Sequence, residues 1–297
     1  MNDAALARAW LGALEHQRRL SPHTLANYAR AISVLFGAKD KAGLREVDAQ
    51  QIRRFVARLH GSGLSGRTLA LTLSAWRGFY RWLARHHGFP SNPVQGVRAP
   101  KSARRLPKAL SVEQAQQLLE APAAAAPEDR RDRAMFELLY SSGLRLAELV
   151  ALDADDGRLD LRQAEVTVTG KGAKTRTVPV GARAREALRD WLKARALLAR
   201  PGERALFVGA RGRRIAPGTV QARLRAWSRR RGLGAAVHPH MLRHSFASHV
   251  LQSSQDLRAV QEMLGHASIS TTQVYTHLDF QALAKVYDAA HPRARKK

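Results

Sequence analysis

The stretch His238-Pro239-His240-Met241-Leu242-Arg243-His244 reads as the opening of a helix. Pro239 suits the first helical position, where a backbone N–H would have no intrahelical partner and φ is already near the helical value. On that helix His240 and Arg243 are three residues apart and share a face, and His244 lies one turn from His240. Downstream, Gly265 in Leu264-Gly265-His266 breaks a second helical run, and a C-terminal glycine cap throws His266 into a turn. Nine residues on, Tyr275 sits in the short polar segment Ser270-Thr-Thr-Gln-Val-Tyr275-Thr-His277. A cation, two imidazoles and a phenol in this order suit charge handling on an anion beside a hydroxyl nucleophile.

Outward from this stretch, residues 164–180 carry the clear β signal. Val166 and Val168 alternate, Gly170-Lys171-Gly172 turns, and Val178 and Val180 resume, which places Lys171 at a hairpin tip. Gly170-Lys171 is followed by Gly172 rather than Ser or Thr, so the string is no phosphate-binding nucleotide loop, and an ATPase is rejected. A helix from about Asp129 is expected to end at Ser142-Gly143, with the next opening at Leu144-Arg145-Leu146-Ala147-Glu148. Further helices are expected over 183–199, over 217–231 with Arg223, Arg225, Arg229, Arg230 and Arg231, and over 280–290; Leu206-Phe207-Val208 reads as a short strand.

The amino-terminal part reads as helices throughout. Residues 2–20 place Leu6, Trp10 and Leu14 at helical spacing, and Ser21-Pro22 caps a second helix to about Phe36. Asp48 with Gln51 resembles a capping box for a third helix, 49–60. Ser65 starts a long fourth helix to about His87, with Leu69, Leu73, Trp76, Tyr80 and Leu83 along one core-facing stripe and Arg67, Arg77, Arg81 and Arg85 on polar faces suited to phosphate contacts. Pro90, Pro93, Pro100 and Pro107 then interrupt any helix among added basic residues, and Ser111 with Gln114 forms a second capping box. The expected architecture is mainly α with a small β-hairpin or sheet: a helical domain over 1–88, a basic extended linker over 89–108 and a second domain over 109–297. Two such domains would close around a duplex as a clamp.

Composition narrows the partner. The chain of 297 residues carries a formal charge of +26, with 50 Lys plus Arg against 24 Asp plus Glu. Residues 1–100 hold 15 basic and 5 acidic side chains, a surplus of +10, and the rest holds +16, so both halves suit one polyanion. With no cysteine, disulfides, thiolate metal sites and a Cys nucleophile are excluded. The start of the chain shows no signal-peptide pattern and no apolar run reaches the ~18 residues of a membrane span, so an intracellular, cytoplasmic protein without membrane insertion is expected. His240 and His244 have the i, i+4 spacing of helical zinc motifs, but no Glu lies between them and no carboxylate cluster follows, which argues against a metal.

Phosphodiester exchange without metal fits these residues. Its transition state concentrates negative charge on non-bridging oxygens, which guanidinium forks match. A tyrosine hydroxyl, with a reference pKa of about 10, must lose its proton as it attacks, and an imidazole can accept it. The departing 5′-oxygen needs a proton, which a lysine on a hairpin can deliver. Arg145 and Arg243, His240 or His266, Tyr275 and Lys171 fill these roles. A 3′-phosphate held covalently on the protein conserves bond energy, so resealing needs no ATP or other cofactor.

Arg145 in Gly143-Leu-Arg-Leu-Ala-Glu148, Lys171 in the hairpin, His240-x-x-Arg243, Leu264-Gly-His266 and Tyr275 resemble, in order and spacing, the motif set of the tyrosine recombinases, over essentially the whole chain. The close of the chain, Tyr275-Thr-His-Leu-Asp-Phe280 through His291-Pro-Arg293, looks most like the XerC group of that family. Ser142 is a minor departure, where many relatives have Thr before the Gly. The resemblance implies that Arg145 and Arg243 clamp the scissile phosphate of double-stranded DNA and that Tyr275 is the nucleophile. It makes Lys171 the general acid, His240 the base and His266 a phosphate donor, with the base still open between the two histidines. Glu148 would orient Arg145. It further implies chromosome-dimer resolution at dif-like sites during cell division, a heterotetramer with a XerD-like sister recombinase, control by an FtsK-like translocase, and a C-terminal helix that docks on the neighbouring protomer. A phage or transposon integrase, a type IB topoisomerase and a non-catalytic DNA-binding protein are the competing readings.

Overall fold

The computed structural model describes residues 2–18, 20–39, 43–101, 109–120, 126–170, 174–234, 236–265 and 286–294. The chain divides into two compact units, Met1–Arg105 and Leu106–Lys297.

The first unit is helical. α1 (Asp3–His16), α2 (Pro22–Ala38), α3 (Ala49–Gly61) and α4 (Gly66–His87) each begin at a side-chain cap, from Asn2, Ser21, Asp48 and Ser65 respectively. The Asp48–Gln51 capping box is formed in both directions. α1 stops at His16, short of the expected 20. The apolar stripe of α4 is the centre of the core: Leu69, Leu73, Trp76, Tyr80 and Leu83 are all buried. Its two polar handles are satisfied inside the unit, Trp76 Nε1 donating to the Ala31 carbonyl at 2.7 Å and the Tyr80 hydroxyl to that of Leu44 at 3.2 Å.

Part of the segment expected as linker contributes to this same core. Phe89, Val94 and Val97 are buried with it, and Arg77, expected to face phosphate, donates to the Val97 carbonyl at 3.1 Å. Residues 102–108 lie outside the described ones.

The second unit is built on α6 (Pro127–Ser142), which is buried along nearly its whole length. α5 (Val112–Leu119) precedes it behind the expected Ser111–Gln114 capping box, and α7 (Leu146–Ala151) follows. Strands β1 (Leu159–Asp160), β2 (Glu165–Thr169) and β3 (Thr175–Pro179) form an antiparallel sheet in the order β1-β2-β3, with Val166 opposite Val178 and Val168 opposite Arg176. α8 (Ala182–Leu198), α9 (Pro217–Arg230), α10 (Pro239–Ser254) and α11 (Leu257–Leu264) complete it, with a further helical stretch at 286–290.

Two elements differ from expectation. β1 is a two-residue addition to the hairpin, too short to carry a periodic signal. Leu206-Phe207-Val208 is no strand: isolated bridges pair Ala205 with Asp153 just before it and Val208 with Arg214 at its end. Its apolar run reflects burial more than a strand ladder, since all three side chains are in the core and the Leu206 carbonyl accepts from Trp191 Nε1 at 2.9 Å. Among the described residues, no helix is long and apolar enough to cross a membrane.

Candidate active site

α6 ends where Gly143 takes a left-handed conformation (φ 58°), and the chain re-enters a helix only at Leu146. A Cβ at position 143 would lie 2.5 Å from Phe246 Cδ1, so backbone conformation and close approach both demand glycine. The turn makes Arg145 the residue before α7, in extended conformation (φ −75°, ψ 150°), with its backbone N–H donating to Glu148 Oε2 at 2.7 Å. Its side chain follows the same carboxylate, Nη1 reaching Oε1 at 2.8 Å.

Glu148 is the hub. It is 5% exposed and also receives Arg176 of β3, Nη1 to Oε1 and Nη2 to Oε2, both at 2.8 Å. Burial opposes its charge, but the bonds from Arg176 and from the backbone and side chain of Arg145 outweigh that and hold the carboxyl at about 2. It is therefore ionised at any physiological pH.

Arg243 enters from α10, whose first position is Pro239 and whose cap is the His238 side chain, Nδ1 accepting from Met241 N at 3.3 Å. Its guanidinium is buried. Nη1 donates to the Gly143 carbonyl at 2.5 Å and Nη2 to that of Leu264 at 2.6 Å. Burial, together with the charges of Arg145 and Arg176, brings its pKa down to about 10, while Glu148 works the other way. It still carries its proton near neutrality.

The C-terminal end of α11 gathers these cations. Three successive carbonyls each accept from a different guanidinium: Met263 from Arg176 Nε at 2.8 Å, Leu264 from Arg243 Nη2 at 2.6 Å, and Gly265 from Arg145 Nη2 at 3.4 Å. A helix C-terminus presents unpaired carbonyls and the negative end of the macrodipole, so this is a suitable anchor for guanidiniums. The helix stops there because Gly265 is left-handed (φ 61°), as expected. Against three guanidiniums stands one carboxylate, which leaves an excess of positive charge. Arg145 remains the accessible member, its side chain 39% exposed. An oxyanion placed beside it would meet fixed donors whose reorganisation is already complete.

His240 stands exposed on the first turn of α10, with its ring loosely stacked on His238 at 6.4 Å between centroids. Helical spacing puts it on the Arg243 side. Thus the structure brings Arg145, Glu148 and Arg243 together and sets His240 on the same helix as Arg243. Lys171, His266 and Tyr275 lie outside the described residues. The base of the hairpin, however, is close: a Cβ at Gly170 would lie 3.4 Å from both Arg145 Nη1 and Glu148 Oε1.

Arg176 is the member that sequence reading missed. Its signal was present, since Arg176 shares strand parity with the apolar Val178 and Val180, and a charge on the inward face of a strand requires a buried partner. Of the α9 arginines, Arg223 pairs with Asp132 and Asp129, and Arg230 with Asp129 at 3.2 Å, so these two also serve the unit itself.

Comparison with known proteins agrees with this arrangement. The profile of the phage integrase family matches residues 108–282, and that of the phage integrase N-terminal SAM-like domain matches residues 7–87. A protein of Ralstonia nicotianae named tyrosine recombinase XerC 1 is 57% identical, covering 97% of this chain and 94% of its own. The tyrosine recombinase XerC of Azotobacter vinelandii is 55% identical over 97% and 96%. Among solved structures, a λ integrase dimer bound to a COC′ core site superposes with a TM-score of 0.72 over 93% of this chain and 100% of that one, at 18% identity, a likeness of fold. The chain belongs to the phage integrase family and, within it, to the XerC tyrosine recombinases.

Proposed function

We propose that this chain is a site-specific DNA recombinase that cuts and rejoins a duplex through a 3′-phosphotyrosyl intermediate. The observation that carries the reading is the pair Arg145 and Arg243, held by Glu148, by the Gly143 carbonyl after α6 and by the Leu264 and Gly265 carbonyls at the end of α11. In the proposed step the Tyr275 oxygen attacks phosphorus and its proton passes to His240 or His266. The bond from phosphorus to the 5′-oxygen breaks, and Lys171 protonates that oxygen. Arg145 and Arg243 hold the non-bridging oxygens, where charge grows in the transition state. Reversal with a new 5′-hydroxyl reseals the strand without ATP or metal.

The biological setting we propose is supported by the XerC-named relatives, which match at more than half identity across nearly the whole chain. On that basis the substrate is a dif-like chromosomal site and the task is resolving chromosome dimers in the cytoplasm at division. The partners would be a XerD-like sister recombinase in a heterotetramer and an FtsK-like translocase. Residues 1–88 then serve as the helical DNA-binding domain, 89–108 as the basic linker, and 109–297 as the catalytic domain with a C-terminal helix that docks on a neighbouring protomer.

The test uses a nicked duplex carrying candidate dif half-sites, on which cleavage releases a short strand and traps the adduct. The expected result is a denaturant-resistant protein–DNA band whose attached peptide contains Tyr275, absent in Tyr275→Phe although that variant still binds. No band, despite tight binding and with the sister protein supplied, would favour a non-catalytic DNA-binding protein.

A further inference from the structure

Arg176 occupies a position to which the proposed chemistry assigns no part. It is 7% exposed and spends three of the five N–H groups of a guanidinium on two different elements: Nη1 and Nη2 on Glu148 of α7, and Nε on the Met263 carbonyl of α11. In sequence its strand, β3, begins four residues after Lys171, and the next residue after the Gly265 cap of α11 is His266. The fit is close, since a Cβ at Gly265 would come within 3.0 Å of Arg176 Cδ. One side chain thus joins the strand after the hairpin turn, the carboxylate that orients Arg145, and the helix end whose carbonyls hold Arg145 and Arg243.

We infer that Arg176 is a positioning residue for DNA cleavage, acting through Glu148 on Arg145 and through the end of α11 on Arg243. The inference rests on the recombinase reading above. A carboxylate as buried as Glu148 needs more than one partner to remain ionised, and Arg176 supplies two of its hydrogen bonds. Among the described residues, the charges facing Glu148 are Arg145 from just before its own helix, Arg176 from β3 and Arg243 from α10. Without Arg176, burial favours the neutral carboxyl, and a neutral carboxyl is a poor acceptor for the Arg145 fork. Arg145 would then lose its set angle as the pH falls, whereas a purely structural Arg176 would give a deficit that does not depend on pH.

The experiment compares full-length wild-type protein with Arg176→Gln and Arg176→Lys on the nicked duplex, measuring single-turnover cleavage at saturating protein, DNA affinity and thermal unfolding from about pH 8 to about pH 5.5. Arg176→Gln is expected to cleave about 10- to 100-fold more slowly, the scale of losing a partner that orients a metal ligand, with DNA affinity nearly unchanged, and its deficit should widen as pH falls. Arg176→Lys keeps the charge but not the fork and should recover part of the rate, with a shallower pH effect. A wild-type rate in Arg176→Gln, or a pH-independent deficit that tracks loss of folded protein, overturns the inference. If Arg176→Gln does not fold, Arg176→Lys decides, and a wild-type rate with a wild-type pH profile overturns it. Absence of the adduct from the wild-type protein itself overturns the recombinase reading and this inference with it.

Discussion

Glu148 and Arg176 stand 28 residues apart in sequence and meet fork to fork, each carboxylate oxygen accepting one guanidinium nitrogen at 2.8 Å. The pair joins the helix that follows Arg145 to the strand β3, two elements with no local reason to hold one angle. Fork-to-fork geometry fixes direction as well as distance, which a point charge would not do.

Glu148 should therefore govern part of the protein's acid sensitivity. Its carboxyl is lowered from 4.5 to about 2 in the folded chain. A lowered acid contributes fully above its unfolded value and loses that contribution as pH falls from about 4.5 to about 2. A gap of that size corresponds to about 3 kcal/mol. Glu148→Gln should unfold more easily at pH 7, because it leaves Arg176 buried beside a neutral amide, and its stability should fall less steeply in the acid window. Denaturant melts across that window check both, and an unchanged acid slope would place the sensitivity on other carboxylates.

Arg243→Lys should be nearly as damaging to cleavage as Arg243→Ala. The guanidinium spans from the Gly143 carbonyl to that of Leu264, and an ammonium cannot bond both while facing a phosphate. Loss of a fixed donor to transition-state charge costs about 100- to 1,000-fold, so single-turnover cleavage should fall by at least that much. DNA affinity should change far less, since most binding comes from phosphate contacts elsewhere on a chain of charge +26. Equal losses in rate and affinity would make Arg243 a binding residue only.

Gly143→Ala should disturb the site without touching a charged group. It forces a Cβ into a left-handed turn (φ 58°) and to 2.5 Å from Phe246 Cδ1, while the carbonyl of the same residue accepts from Arg243 Nη1 and the chain leads on into Arg145. The backbone conformation and the clash together should cost about 2–4 kcal/mol, read as a drop in thermal midpoint, with cleavage by the remaining folded protein also slowed. A neutral effect on both would mean that the turn relaxes freely.

Much of this was legible in the sequence, for local reasons. Ser21, Asp48, Ser65 and Ser111 announced helix starts because a cap requires only a side chain and a backbone N–H within three residues. Gly143 and Gly265 announced stops in the same way. Arg145 and Arg243 could be named from motif spacing, and the structure sets their side chains on neighbouring carbonyls of one helix end. What was not legible depended on contacts remote in sequence. For Arg176 the strand parity with Val178 and Val180 signals only that it needs a buried partner; which partners it has, Glu148 and Met263, depends on the fold. The tie of Tyr140 to His249 at 2.8 Å, and of His249 to the Leu110 carbonyl at 2.9 Å, was equally invisible, because partners 109 and 139 residues away leave no periodic trace.

The end of the chain offers a sharper test of how buried charge is managed. Arg293 donates to Glu137 in the middle of α6, Nε to Oε2 at 2.9 Å and Nη2 to Oε1, and both residues are buried. Around them the Tyr287 hydroxyl meets Ser141 Oγ at 2.6 Å, so residues 286–294 are bound to α6 by polar as well as apolar contacts. Burial pushes the Glu137 carboxyl up, against the pull of Arg293. Removing either partner should destabilise the unit, by about 3–5 kcal/mol for a broken buried pair, but the two losses should differ. Glu137→Met leaves a buried guanidinium that cannot give up its proton with the exposed Glu120 carboxylate at 3.8 Å, whereas Arg293→Met strands a carboxyl that can take a proton up. In Arg293→Met the folded-state value of Glu137 lies above the unfolded one. The loss should then be greatest at high pH and recede as pH falls through the raised folded value toward 4.5, the ordinary value of the group. Glu137→Met should show no such recovery, and the double Met variant should be more stable than Glu137→Met alone, since apolar replacement of a whole buried pair is often neutral. Denaturant melts of the three variants at several pH values measure this, and identical pH profiles for the two single variants would refute it.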